Sequence, residues 1–241
     1  MNTSNNTVLI TGGTSGIGFE FASQFVHLGN TVIITGRDQV KLLAAREKLP
    51  NVHTVQSDVT DPKAIPLLFE RVTKEFPKLN VLINNAGIMR KIDLQDTAGD
   101  LEEITDEIET NLAGPVRMVI QFLPHLKAQE AAAIVNVSSG LAFVPMPMYP
   151  IYCATKAGLH SFTESVRAQL KDTNVKVFEL APPATQTPLL TGDYWKNVPL
   201  MDVGKMVRHA IGGIQHDHLE IRPGVSNVLE LMSRIAPSKT L

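Results

Sequence analysis

Three side chains, Ser139, Tyr152 and Lys156, have the types and spacing that acid-base chemistry requires. A phenol of pKa about 10 exchanges protons poorly at neutral pH, and an ammonium held within about 4–6 Å favours its ionised form. Tyr152 and Lys156 stand four residues apart, so on a helix they share one face. Ser139 can then hydrogen-bond the same substrate oxygen that Tyr152 protonates. Tyrosine and lysine fall four apart by chance in many helices, usually on a half-exposed face, so the pair takes its meaning from its surroundings.

Those surroundings are a strand, a loop and a helix. Residues 134–137, IVNV, are short and β-branched, which suits a buried parallel strand, and Ser138, Ser139 and Gly140 end it. Pro145, Pro147 and Pro150 forbid a helix through the next stretch but allow one to begin just after Pro150. A second chemical stretch lies near the start. Residues 8–11 read as a strand, TGGTSGIG at 11–18 as a turn, and Ile17, Phe21 and Phe25 recur every four along a helix. Glycines there let the backbone pass close to a pyrophosphate, and the helix N-terminus offers free N–H groups and a positive dipole end. Gly12, Gly16 and Gly18 are spaced G-x-x-x-G-x-G, unlike the general dinucleotide pattern G-x-G-x-x-G. Gly13 and Gly18 have Walker A spacing, but Phe19 and Glu20 stand where Lys and Ser/Thr would be needed, which disfavours a nucleoside triphosphatase.

With NNAG at 84–87 added, the chain resembles the classical short-chain dehydrogenase/reductase family from Thr7 to about Gly224. Its C-terminal part, FELAPP included, is similar to the oxidoreductases encoded with cell-wall D-alanylation genes. The resemblance implies a doubly wound α/β Rossmann fold, a seven-stranded parallel sheet flanked by helices, with a dinucleotide across the carboxyl ends of the strands. It implies hydride transfer between a nicotinamide and a carbonyl or secondary alcohol, with a tetrad of Asn111, Ser139, Tyr152 and Lys156. Tyr152 is then the general acid/base and Ser139 orients the carbonyl. Lys156 lowers the tyrosine pKa and holds the nicotinamide ribose, and Asn111 orders a water behind the lysine. Cofactor contacts are implied at Gly12, Thr14, Ser15, Gly16, Ile17 and Gly18, and at Asp58 and Val59 along the adenine. Asn85, Ala86 and Gly87 lie beside the cofactor, with Tyr152, Lys156, Pro182, Thr185 and Thr187 completing the set, while Asn84 supports the sheet. No metal is implied.

The second strand, residues 31–35, ends in Gly36 and Arg37. An NAD site usually has an acid there for the ribose hydroxyls. A missing acid followed by a base goes with NADP(H) in the family, because a guanidinium pairs with the 2′-phosphate; NAD(H) stays open. A third strand is read at 53–56, and Asp61 and Pro62 are read as N-cap and first residue of a helix. A fourth strand is read at 81–84. Leu101, Ile104, Ile108, Leu112 and Val119 have core periodicity, predicting one helix with Asn111 near its middle. Strands at 175–181 and 219–221 and a helix at 225–235 complete the reading. Two residues depart from the family: Pro183 stands where glycine is usual, and Glu179 puts a carboxylate in an apolar strand. Glu179 therefore requires a partner or a protomer contact. Residues 189–203, polar and weakly periodic, are expected to form a mobile substrate lid. Trp195 there either serves that lid or buries against the body or a partner subunit.

A chain of 241 residues with 44% hydrophobic residues can bury one large core, so a single domain over residues 1–241 is expected. A net charge of −2 supplies no field for nucleic acid or anionic membrane. The uncharged run 131–155 is long enough to span a bilayer, but its three prolines and Asn136 forbid that. Without a secretory pattern at the N-terminus, and with Cys153 as the single cysteine, the cytoplasm is expected. The partner is a small carbonyl or alcohol, and the resemblance implies a homodimer or homotetramer. A catalytically silent dinucleotide sensor is the alternative, disfavoured because a sensor has no need of Ser139, Tyr152 and Lys156 together. A serine hydrolase lacks its G-x-S-x-G elbow.

Overall fold

The structure is a computed structural model and describes residues 1–95 and 101–235. Seven strands form one sheet: β1 (Thr7–Thr11), β2 (Thr31–Gly36), β3 (Val52–Gln56), β4 (Leu79–Asn84), β5 (Ala132–Val137), β6 (Val175–Leu180) and β7 (Glu220–Ile221). Every pairing is parallel and the order is β3-β2-β1-β4-β5-β6-β7. The chain winds outward from β1 through β3, then returns to the other side of β1 as β4. That reversal opens a crevice beyond the carboxyl ends of β1 and β4.

The strands read as near-continuous apolar runs because helices cover both faces of the sheet. Val8, Ile10, Val32 and Ile34 pack with α1 (Gly16–His27), α2 (Gln39–Lys48) and α7 (Val203–Gln215). The alternate residues Leu9, Ile33, Leu82 and Ile134 pack with α3 (Ala64–Glu75), α5 (Gly114–Lys127) and α6 (Pro150–Gln169). The period-two alternation of a strand thus divides one sequence run between two cores. Helix α8 (Ser226–Ile235) lends Leu229 to the wall of the crevice, and α4 (Leu101–Ile108) packs against α6. The side chain of Leu101 lies outside the described residues. No described helix is long and apolar enough to cross a membrane.

Two local expectations are corrected. Helix α3 starts at Ala64, after Asp61 and Pro62. The Asp61 side chain accepts from Lys63 N at 2.8 Å and its carbonyl from Ala64 N at 3.1 Å, so this pair makes a turn leading into the helix. The single helix read through Leu101 and Val119 is interrupted by a π turn over Glu109–Ala113, between α4 and α5. Such turns insert a residue and commonly mark functional sites. Asn111 lies within it.

Candidate active site

The glycine-rich turn places a backbone wall at the crevice. Gly12 has φ of +64°, and a Cβ there would come within 2.8 Å of the Ala86 Cα. Only glycine allows the β1 and β4 ends to approach so closely. Asn85 ties the same place together, its amide donating to the carbonyls of Thr11 and Gly12 at 3.0 Å each. Ser15, the N-cap of α1, makes no side-chain capping bond, so the first N–H groups of α1 are left for a ligand.

Asn84 is structural, as the resemblance implied. Its amide donates to Asn136 on β5 at 2.8 Å, and Asn136 donates to Thr163 on α6 at 2.9 Å. The ladder pins α6 to the sheet one face below the crevice. Asn111, fully buried, accepts from Ile88 N at 2.9 Å and donates to Ile88 O at 2.8 Å and to Thr155 Oγ1 at 3.2 Å. Its side-chain amide is thus committed to holding the segment after β4 against α6. A Cβ on Gly87 would sit 3.3 Å from Asn111 Oδ1 and 3.6 Å from Lys156 Nζ, so this glycine leaves room for both.

Helix α6 begins at Pro150 and brings Tyr152 and Lys156, both buried, to one face. Ser138 and Ser139 follow directly on the end of strand β5. The Ser139 hydroxyl accepts from Leu141 N at 3.1 Å and sits near enough to the Tyr152 phenol to lower its pKa. Lys156 Nζ donates to Val137 O at 2.9 Å and lies 5.6 Å from the Tyr152 ring centroid. Burial pushes the phenol up to about 12, outweighing the lowering effect of Ser139. Burial pulls the Lys156 ammonium down to about 8. The expected lowering of Tyr152 by Lys156 is therefore absent here: the ammonium faces the ring and the Val137 carbonyl, and desolvation dominates both groups. Glu107, fully buried and accepting from Arg90 N at 2.6 Å, adds a further upward push on Tyr152. Sequence reasoning missed it, because a glutamate on a helix ordinarily faces solvent.

A cavity of about 820 Å³ runs through the site. It touches every candidate position but two: Gly18 braces the turn from behind, where a Cβ would lie 2.4 Å from Asn85 Nδ2 and Gly12 O, and Asn111 is buried behind the wall, which takes its neighbour Thr110 instead. At one end lie Arg37, Asp38, Lys41, Asp58 and Val59; the buried hydroxyls of Thr35 and Ser57, which line the cavity, have no partner among the described residues. At the other lie Ser139, Tyr152, Pro183 and a group of apolar side chains. A channel with unpartnered donors, a glycine wall and an open helix N-terminus fits a dinucleotide. The Pro182 carbonyl accepts from Gly140 N at 2.9 Å, and Pro183 O from Thr185 Oγ1 at 2.8 Å, so the prolines brace the cavity floor. Leu190 and Trp195, which line the cavity, fall in the segment read as a substrate lid, whereas Lys41 and Leu229 were missed; of these two only Lys41, one turn beyond Arg37, carried a local signal.

Residues 189–203, expected to form a mobile lid, touch the body of the chain at two places. Thr185 bridges Met201, and Trp195 stacks on Tyr149 with centroids 5.9 Å apart, donating to its hydroxyl at 3.0 Å. Trp195 buries against the body of its own chain and is the buried residue of the segment. Glu179 finds its partners within the chain as well: Ser138 Oγ donates to it at 2.5 Å and His160 Nδ1 lies 2.8 Å away. The carboxylate separates serine from histidine, so this cluster places no base on the serine and is no hydrolase triad.

The short chain dehydrogenase family profile matches residues 6–196. This chain belongs to that family. It is 52% identical over 189 residues, 78% of its length and 75% of the relative's, to the uncharacterized oxidoreductase DltE of Bacillus subtilis (strain 168). Among solved structures it resembles a short chain dehydrogenase from Burkholderia cenocepacia J2315 in complex with NADP, at 25% identity and a TM-score of 0.85, covering 98% of this chain and 96% of that one. The fold also matches a short chain dehydrogenase/reductase from Burkholderia phymatum in complex with NAD, at 21% identity and a TM-score of 0.86, over 97% and 95% of the two chains. The chain is thus similar to DltE and shares its fold with short chain dehydrogenases solved with NADP and with NAD.

Proposed function

We propose that the protein is an NADP(H)-dependent reductase or dehydrogenase acting on a small carbonyl compound or secondary alcohol. The observation that carries the reading is the meeting of Ser139, Tyr152 and Lys156 on the wall of the cavity that also holds the glycine turn and Arg37. A bound nicotinamide supplies or accepts the hydride. In the reducing direction the substrate oxygen takes a hydrogen bond from Ser139 and a proton from the Tyr152 phenol, which its high pKa keeps protonated at neutral pH. Lys156, cationic below about 8, holds the ribose side and stabilises the phenolate that remains. Asn111 keeps the segment carrying Gly87 and Ile88 against α6, so the water expected behind the lysine is ordered through this segment's placement. Gly12, Thr14, Ser15, Gly16 and Ile17 take the pyrophosphate, with Gly18 bracing their turn. Asp58 and Val59 take the adenine, and Asn85 to Gly87 with Pro182, Thr185 and Thr187 take the nicotinamide side.

Residues 1–241 act in this reading as one dinucleotide-binding domain in the cytoplasm. A homodimer or homotetramer is supported by the exposed apolar Ile108 on α4 and Ile120 on α5, helices next to the site. Light scattering of the purified chain tests it. The activity is tested by turnover of a carbonyl panel with NADPH and NADH, followed by nucleotide absorbance. Nucleotide binding without any turnover across the panel would favour the sensor.

A further inference from the structure

The end of the cavity beyond Tyr152 has a chemical character of its own. The charged side chains lining the whole cavity are Arg37, Asp38, Lys41, Asp58 and Lys156, among the described residues. The first four belong to the β2 and β3 ends, and Lys156 is buried against the Val137 carbonyl. Around Tyr152 the lining includes Met89, Met146, Leu190 and Trp195, which pack with it in one apolar cluster, together with Leu229 and Tyr194.

Contacts within the chain hold this wall in place. The Trp195 indole lies within 20° of the Tyr149 ring plane, and its single donor is satisfied by the Tyr149 hydroxyl at 3.0 Å. Tyr194 meets Trp195 edge-on, at 89° and 5.0 Å. Trp195 therefore offers hydrocarbon with no unsatisfied polar atom. Met89 and Met146 are flexible and polarizable, so they adapt to a flat group resting against the fixed rings.

Resting on the hydride-transfer reading, we propose that the substrate is an uncharged carbonyl compound, or its alcohol, bearing an apolar substituent of aryl size, and that Trp195 selects for that substituent. An ionised carboxylate or sulfonate on the substrate would be buried there without a partner. Leaving even a neutral buried polar group unpaired costs up to about a hundredfold in affinity, and a charge costs more.

The test uses the full chain in complex with NADP⁺, and the single tryptophan reports binding directly through its fluorescence. Methyl phenylglyoxylate and phenylglyoxylate differ in charge; methyl phenylglyoxylate and methyl pyruvate differ in the aryl group. The neutral aryl ester is expected to quench Trp195 at concentrations at least about a hundredfold below the anion and about tenfold below methyl pyruvate. Turnover of the esters with NADPH is measured alongside, and Trp195→Ala is expected to lower kcat/KM about tenfold for the aryl ester and under about threefold for methyl pyruvate. Equal binding of ester and anion, equal loss for both esters in Trp195→Ala, or no quenching by the aryl ester overturns the proposal. Selective quenching without turnover would instead uphold the pocket's polarity and sink the hydride-transfer reading.

Discussion

His160 Nδ1 lies 2.8 Å from a carboxylate oxygen of Glu179, and the other oxygen of that carboxylate takes the Ser138 hydroxyl at 2.5 Å. The pair joins β6 to α6 one turn beyond Lys156, and through Ser138 it reaches the residue beside Ser139. Phe143 meets the His160 ring at 5.1 Å, and Arg222 lies over Phe143 at 5.1 Å, so the network continues to the segment before α8. An acid in a buried strand is tolerated here because both its oxygens are engaged.

The pair makes stability depend on pH. Burial raises the Glu179 pKa, but His160 and Ser138 together outweigh it and hold the carboxyl below the usual range. The hydrogen bond to Glu179 raises His160 against the effect of its burial. Glu179 thus contributes fully above its unfolded value of about 4.3, and this is lost as pH falls through the lowered folded value. His160 contributes fully below its unfolded value of about 6.5, and this is lost as pH rises through the raised folded value. His160→Ala should cost about 3 kcal/mol at pH 6, the lower end for a broken buried pair because solvent reaches the ring. Urea melts at pH 6 and 9 would check this. A deficit that grows at pH 9 contradicts the ion pair.

On the proposed mechanism Tyr152→Phe removes the proton donor and leaves the cavity's shape. Carbonyl reduction should fall by at least about a hundredfold, the lower range for losing a positioned general acid, while nucleotide affinity is unchanged within error. Steady-state kinetics and nucleotide titration on the same preparation decide it. Retained turnover would assign the proton to another group.

The Lys156 ammonium, brought down to about 8 by burial, titrates within an accessible range. It is charged below that value and neutral above it. The free enzyme's kcat/KM for reduction should therefore fall as pH rises through about 8, since the positive charge on the ribose side disappears. Lys156→Arg keeps its charge at all these pH values and should abolish the limb. A limb persisting in that variant belongs to some other residue.

What was legible in the sequence was what local spacing encodes. Tyr152 and Lys156 share a face because they are four apart on a helix, and the glycine turn follows its strand directly. The β-branched runs placed all seven strands to within about two residues. The π turn at Asn111 was hidden because Ile104, Ile108 and Leu112 keep helical spacing through it. Glu179's partners stand 19 and 41 positions away, on α6 and just past β5, and no periodicity relates them. Trp195 lay in a polar stretch with no periodic neighbours; its burial depends on Tyr149, which stands 46 positions earlier and meets it only in the folded chain. Asp61 and Pro62 were misread because an Asx turn and an N-cap use the same aspartate chemistry.

The end of β2 leads us to expect tighter binding of NADPH than of NADH. Gly36 puts no carboxylate there, and Arg37 follows, exposed and without an ion pair among the described residues. The nearby acid, Asp38, accepts from Val40 N at 2.9 Å and Lys41 N at 3.1 Å, so its charge is engaged by the start of α2. The backbone beneath Arg37 is fixed, its carbonyl accepting from Gln56 Nε2 at 2.9 Å. Lys41, one turn further on, lines the same end of the cavity and pairs with Asp38 only at 3.9 Å on the surface, a contact of little strength. Two cations therefore face the place where a 2′-phosphate would lie. A charge-assisted hydrogen bond contributes about 1.5–3 kcal/mol, or roughly tenfold to somewhat over a hundredfold in affinity. Arg37→Ala should weaken NADPH binding by about that factor and leave NADH nearly unchanged. Lys41→Ala should show a smaller loss of the same selectivity, because an ammonium lacks the bidentate fork. Isothermal titration of both nucleotides against the three proteins separates the cases. Equal affinities in the native chain, or equal losses for both nucleotides in Arg37→Ala, would mean that Arg37 does not read the phosphate.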